Sequence, residues 1–205
     1  TTGDTTGNIA MTLQLPTLKK GETGEWQFVL GFGNSKEESL AASTQTLNTG
    51  AQKVLANFNG AGDAIGWEDY LASLPALEAL SKESTDSGKL LYASALVLKA
   101  QEDKTYAGGM IASLSNPWGD TASADKAQTG YKAVWPRDFY QVTMAMLAMG
   151  DRVTPKVAFE YLENVQTSDK TPGYSGTPGW FLQKTHVDGK VEWVGVQLDQ
   201  TAMPI

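Results

Sequence analysis

The chain is 205 residues long, 41% hydrophobic and 19% charged, with a formal net charge of −7 and no cysteine. That length allows one large domain or two small ones with a substantial core, and no apolar run is long enough to span a bilayer. An acidic balance without a cluster of Lys or Arg argues against nucleic acid and against a membrane surface as partners. Disulfides and thiol catalysis are excluded, whereas export is not.

The sequence starts at Thr1 rather than Met and stops at Ile205, inside an apolar helical pattern that opens at Leu198. It therefore reads as a segment of a longer protein. Ile9, Met11, Leu13 and Leu15 alternate with polar or small residues, and Trp26, Phe28 and Leu30 alternate again after a Pro-, Lys- and Gly-bearing connection. These two runs predict a β-hairpin that belongs to a larger sheet. At Ser35 the period changes. Ser35 is placed to cap a helix with Glu37 and Glu38 in its first turn, and Leu40, Leu47, Ala51, Val54, Leu55 and Phe58 follow at helical spacing. Asn59 to Asp63 breaks that helix, and a shorter one is expected from about Ile65, through Trp67, Tyr70, Leu71 and Leu74, to Pro75.

Beyond Pro75 the pattern is helical. Asp86 can cap a helix whose face holds Leu90, Leu91, Ser94, Val97 and Leu98. Arg137 to Gly150 carries Val142, Met146 and Met149, and Thr154-Pro155 reads as a cap with proline at the first helical position. Two long Gly-, Ser- and Pro-rich segments, 104–130 and 167–190, separate these helices. Their aromatic residues, Tyr106, Trp118, Tyr174, Trp180 and Phe181, favour ordered, functional loops.

One decade concentrates the chemistry, Tyr131-Lys132-Ala133-Val134-Trp135-Pro136-Arg137-Asp138-Phe139-Tyr140. An aromatic face can cover the apolar side of a pyranose, and an Arg–Asp pair offers charge-assisted hydrogen bonds to its hydroxyls. The competing reading is a helix start with a structural salt bridge. Tyr106 to Gly119 is glycine-bearing but lacks the spacing and the Lys-Ser/Thr of a phosphate loop, so its small residues predict a backbone passing close under a helix or a ligand. His186 is the single histidine and lies in a predicted tight hairpin turn, His186 to Lys190. Zinc and a Ser-His-Asp triad are therefore poor fits. Calcium held by carboxylates and carbonyls stays open as a structural ion, although no EF-hand loop is present. Asp138, Glu192 and Asp199 stand among apolar and aromatic residues, where a carboxylate is costly unless it is paired or used.

Three stretches together resemble glycoside hydrolase family 15, in particular its prokaryotic glucoamylases and glucodextranases. They are Val134 to Tyr140, Met110 to Ser115 with Pro117-Trp118-Gly119, and Trp193 with Gln197-Leu198-Asp199. The resemblance spans essentially the whole chain and implies a β + α architecture. Residues 1–35 would end an N-terminal super-β-sandwich, residues 36–80 would be a helical linker, and residues 81–205 would begin an incomplete (α/α)6 barrel. It further implies an exo-acting, inverting α-glucosidase that takes α-glucan or maltooligosaccharide, needs no cofactor and is secreted or periplasmic in a bacterium. The remainder of its own polypeptide would complete it. A glucodextranase acting on α-1,6 linkages, trehalases, disaccharide phosphorylases, a non-catalytic carbohydrate-binding fragment and a scaffold or interaction protein are the alternatives.

Carried over by position, Arg137 and Asp138 correspond to the pair that grips the terminal glucose, Tyr131 and Trp135 to the aromatics that shape its pocket, and Trp193 to a tryptophan near the general acid. The general acid and base themselves are expected beyond residue 205, so no catalytic residue is assigned. Lys132 and Ala133 depart from the His-Leu of many relatives.

Overall fold

The computed structural model describes residues 12–115 and 130–205, in two compact units, one reaching to Leu55 and the other running from Ala56 to Ile205. In the first unit the Ser35 hydroxyl accepts from the Glu38 amide, and the Glu38 carboxylate reaches back to the Asn34 amide at 2.7 Å, a reciprocal cap of the expected kind. Helix α1 (Lys36–Thr49) stops at Gly50, whose φ is +84°, and α2 (Ala51–Asn59) follows directly. Where periodicity predicts one helix through Phe58 there are two, divided by a residue in the left-handed region that glycine tolerates.

The expected hairpin is not formed among the described residues. Leu13, Leu15, Trp26, Phe28 and Leu30 are exposed in chain that joins no strand, and Ile9 and Met11 lie outside the described residues. Alternation becomes a strand only when a neighbour takes up the backbone N–H and C=O groups. No described segment does so here.

The second unit opens with a glycine-rich turn, in which Gly60 has φ +110°, and with α3 (Trp67–Ala72), whose Trp67 ring meets Phe58 edge-on at 6.3 Å. A short helix α4 (Leu77–Lys82), which periodicity did not reveal, follows Pro75. Next comes α5 (Lys89–Ala100), where Asp86 accepts from the amides of Gly88 and Leu90 as its position predicts. The buried face of α5 differs from the predicted one. Ala95 is fully buried, with Leu91, Tyr92 and Leu98 beside it, whereas Leu90 and Val97 are exposed. A small residue at the contact lets two helices approach closely, and a hydropathy pattern weighted toward Leu and Val misses it.

Helices α6 (Pro136–Met149) and α7 (Val153–Val165) pack together and on α5 around Phe139, Met146, Met149, Ala158, Tyr161 and Leu162. The Phe139 and Tyr161 rings stack at 6.2 Å. The cap of α7 is Asp151 rather than Thr154. Its Oδ1 accepts from the amides of Val153 and Thr154, and the helix starts at Val153, ahead of the Pro155 start that Thr154-Pro155 implies. Gly108, with φ +84°, lies where a β-carbon would meet the Val157 carbonyl oxygen at 2.4 Å, and Gly109 lies against the Tyr161 ring. The small residues of 106–112 thus pass close under a helix, one of the two options the sequence left open. A two-stranded hairpin, β1 (Lys184–Thr185) and β2 (Val191–Trp193), and a final helix α8 (Leu198–Ala202) complete the unit.

Asp151 joins two elements. Besides capping α7, its Oδ2 accepts from the Tyr70 hydroxyl of α3 at 3.2 Å, and burial first, then the Asp151 charge, raises the Tyr70 pKa well above its ordinary value. Asp151→Ala should therefore cost about 1–3 kcal/mol, and Tyr70→Phe about 0.5–1.5 kcal/mol, in chemical denaturation. Equal stabilities for Asp151→Ala and the wild type would remove this carboxylate from the set of supports.

Candidate functional site

Residues 131–135 run as a wire between two other segments, through a turn and bend at 131–133 and an isolated bridge at Val134. The Ser113 amide donates to the Tyr131 carbonyl and the Ala112 amide to the Ala133 carbonyl, both at 3.1 Å, while Val134 and Thr185 exchange reciprocal bonds of 2.9 and 3.0 Å. Ala133 and Val134 are buried, so the wire is anchored from inside and leaves Tyr131 exposed and Trp135 half-buried at its two ends. The Met110 to Ser113 stretch on the other side is itself held by Gln101. Its carbonyl accepts from the Ile111 amide at 3.1 Å, and its side-chain amide donates to the Ile111 and Ala112 carbonyls at 2.7 and 3.0 Å.

Trp135 then starts α6 in an extended conformation, with Pro136 at the first helical position. Trp135 has no side-chain acceptor with which to cap the helix. The Arg137 amide donates instead to Oε1 of Gln200, a fully buried residue of α8, at 2.7 Å. This remote cap brings α8 against the foot of α6 and fixes what surrounds the Arg137 side chain. Its Nη1 donates to Asp199 Oδ2 at 2.7 Å and to Gln197 Oε1 at 3.3 Å. The expected partnership of Arg137 with Asp138 is thus replaced by one with Asp199. Adjacent residues on a helix point about 100° apart, so an i, i+1 pair cannot close on itself. Asp138 stands half-exposed in the first turn of α6, with no hydrogen bond or ion pair to another described side chain.

Two of the three aromatics singled out in the sequence come together. The Tyr131 and Trp135 rings lie 6.2 Å apart and tilted by 60°. Trp193 sits on β2 opposite Lys184 of β1, half-exposed, with its indole folded over Gly195, where a β-carbon would collide with Nε1. Pro117, Trp118 and Gly119 lie outside the described residues. Glu192, singled out as a carboxylate in apolar surroundings, has a side chain only 1% exposed and pairs with Lys184 Nζ at 2.8 Å. Lys184, which sequence reasoning passed over, places that ammonium 5.1 Å from the centre of the Trp135 ring. Gln200 was also missed. Its one signal was a polar side chain in an apolar helix close behind a motif that lacks its own cap.

His186 takes the structural role foreseen for it. Its amide donates to Lys190 O at 2.9 Å and its carbonyl accepts from Gly189, whose φ is +80°, closing the hairpin turn. Among the described residues no three His, Asp or Glu side chains gather in a way that could hold a metal ion. Among the described residues no helix is long and apolar enough to cross a membrane. An open cleft of about 960 Å³, lined by Tyr70, Lys99 and Asp151, lies at the C-terminal end of α6, a helix length away from Arg137.

Residues 85–205 match the family model for glycosyl hydrolases family 15, which is more than half of the chain. The chain belongs to glycosyl hydrolase family 15. Residues 1–72 additionally match the model for glucodextranase, domain N. A glucoamylase of Clostridium sp. (strain G0005) is 36% identical over 201 residues, covering 97% of this chain and 25% of that protein. The crystal structure of a bacterial glucoamylase complexed with acarbose superposes with a TM-score of 0.67 at 33% identity, covering 85% of this chain and 23% of that one. The chain thus spans about a quarter of the length of these family 15 relatives, and its helices follow the helical fold of a glucoamylase.

Within this family 15 chain the Asp199 carboxyl is held below its usual range chiefly by the hydrogen bond from Arg137. The pair is intact above the ordinary aspartate value of 3.8 and is lost as pH falls through the lower folded value. In a carboxyl NMR titration the Asp199 midpoint should rise toward 3.8 in Arg137→Gln. An unmoved midpoint would mean that the pair does not form in solution.

Proposed function

We propose that this chain supplies part of the substrate pocket of an exo-acting, inverting α-glucosidase that releases β-D-glucose from the non-reducing ends of α-glucans. In this reading residues 1–35 end a β-sandwich domain, 36–80 form a helical linker and 81–205 begin the catalytic barrel. The observation that carries it is the Tyr131–Trp135 ring pair directly before the first turn of α6, which holds Arg137 and Asp138, inside the family-matched region. The names of the relatives, a glucoamylase and a glucoamylase with acarbose, support the substrate class.

Asp138 and Arg137 would then grip hydroxyls of the terminal glucose. A carboxylate hydrogen-bonded to a free chain end has no room for a continuing chain, which gives exo action. Tyr131, Trp135 and Trp193 would cover its apolar faces. In an inverting reaction one carboxylic acid protonates the leaving oxygen while a second carboxylate activates water on the opposite face of the ring. In this reading both groups would come from sequence beyond residue 205, as the family resemblance implies.

Proton NMR of the full-length polypeptide turning over maltotriose should show β-glucose first; α-glucose first would exclude inversion. Arg137→Ala or Asp138→Ala should lower kcat/KM by about 10²–10³, equivalent to about 3–4 kcal/mol. A near-wild-type value in either variant would remove that residue from the site. The match of residues 1–72 to a glucodextranase domain favours a second reading, an α-1,6 preference. The ratio of kcat/KM on isomaltooligosaccharides to that on maltooligosaccharides decides between the two.

A further inference from the structure

The Lys184–Glu192 pair is costly where it stands. The Glu192 side chain is almost wholly buried, that of Lys184 is 20% exposed, and the two are 2.8 Å apart. A buried pair of this kind gives little stability beyond what an apolar pair of the same volume would give, because desolvating two charges offsets most of their attraction. What it does supply is a cation at a fixed place, 5.1 Å from the Trp135 ring centre, within the range over which a cation is held by an aromatic quadrupole.

The same lysine is the cross-strand partner of Trp193, at the irregularity where the register of the hairpin shifts. The reciprocal Val134–Thr185 hydrogen bonds, one residue along from both Trp135 and Lys184, fix the two backbones against each other. Lys184 thus lies over Trp135 and pairs across the hairpin with Trp193.

We propose that Lys184, held by the buried Glu192, is a positioning residue for sugar binding: its ammonium occupies one face of the Trp135 indole, sets the angle of the ring, and leaves the opposite face to the sugar. This deepens the pocket reading above and rests on it. Lys184 touches no reacting atom. Its effect falls on the affinity of a saccharide whose apolar face must lie flat on Trp135, and the chemical step is left alone.

The test is steady-state kinetics of the full-length polypeptide with maltotriose, together with tryptophan fluorescence quenching by the same sugar. Lys184→Met should raise KM about tenfold, with kcat within about twofold of wild type, and should weaken the quenching in parallel. Lys184→Arg keeps a cation able to stack on the ring and should recover most of the affinity. Glu192→Gln keeps the buried volume but frees the ammonium, and should raise KM even where Lys184→Met does not fold.

Wild-type KM in Lys184→Met or in Glu192→Gln overturns the inference. So does a KM increase that arginine fails to rescue, since that pattern belongs to general disruption. Trp135→Ala separates this failure from that of the underlying reading. A raised KM in Trp135→Ala beside a wild-type KM in Lys184→Met rejects the lysine and keeps the pocket, whereas a wild-type KM in Trp135→Ala rejects both.

Discussion

Helix α6 begins at a residue that cannot cap it, and most of the site follows from how that deficit is met. Pro136 has no amide proton to satisfy, and the next amide, that of Arg137, would be orphaned in a region closed off from water. Gln200 supplies the acceptor from 63 residues away in sequence and is wholly buried in doing so. A buried side-chain amide aimed at a helix terminus is a strong positional constraint, because losing it exposes an unsatisfied donor on one side and a stranded amide on the other. By fixing α8 at this point the bond also delivers Gln197 and Asp199 to the Arg137 guanidinium. The remote cap and the electrostatic surroundings of the site are one arrangement.

Two ion pairs flank the start of α6, and their environments separate their roles. Arg137–Asp199 is 40% exposed on both sides and contributes little to stability in that setting. Its value lies in holding a planar set of donors in one orientation, some of them still open to solvent or to a ligand. Lys184–Glu192 is buried and does not move with the solvent, which suits a pair that supports an aromatic ring. Arg137–Asp199 joins residues 62 apart in sequence and Lys184–Glu192 closes across one hairpin, and neither follows the i, i+4 spacing that charge patterning along a helix would reveal.

This explains what was legible in the sequence and what was not. Helices with a local start signal, such as the one capped by Ser35 or the one guarded by Asp86, were readable because the capping bond spans three or four residues. The tight turn at His186 to Lys190 was readable for the same reason. Gly50 divided a helix that apolar spacing alone made continuous, and Ala95 proved to be the fully buried residue of α5, because backbone conformation and the burial of a small side chain do not register in hydropathy. The alternating runs near the first residues were legible as pattern but not as structure, since a strand is defined by a partner. At the site the residue types were legible and the pairings were not. The motif placed Arg137 and Asp138 side by side in sequence, and helical geometry turned them apart.

The two ends of α6 divide the work of the second unit. At its C-terminal end Gly150 turns the chain, with φ +93°, and lies against Pro75, where a β-carbon would meet the ring at 2.7 Å. Next to it Asp151 caps α7 and ties it to Tyr70. Every polar group named there is engaged in holding helices together. At the N-terminal end the polar groups are held by residues behind them, Gln200 and Glu192, while Tyr131, Trp193 and the Arg137 guanidinium keep exposed surface. Charge and aromatic surface that are restrained from behind but uncovered in front are expensive for a fold to keep without a ligand. That asymmetry along a single helix, more than the presence of any one residue, is what supports the proposal that its N-terminal end meets sugar.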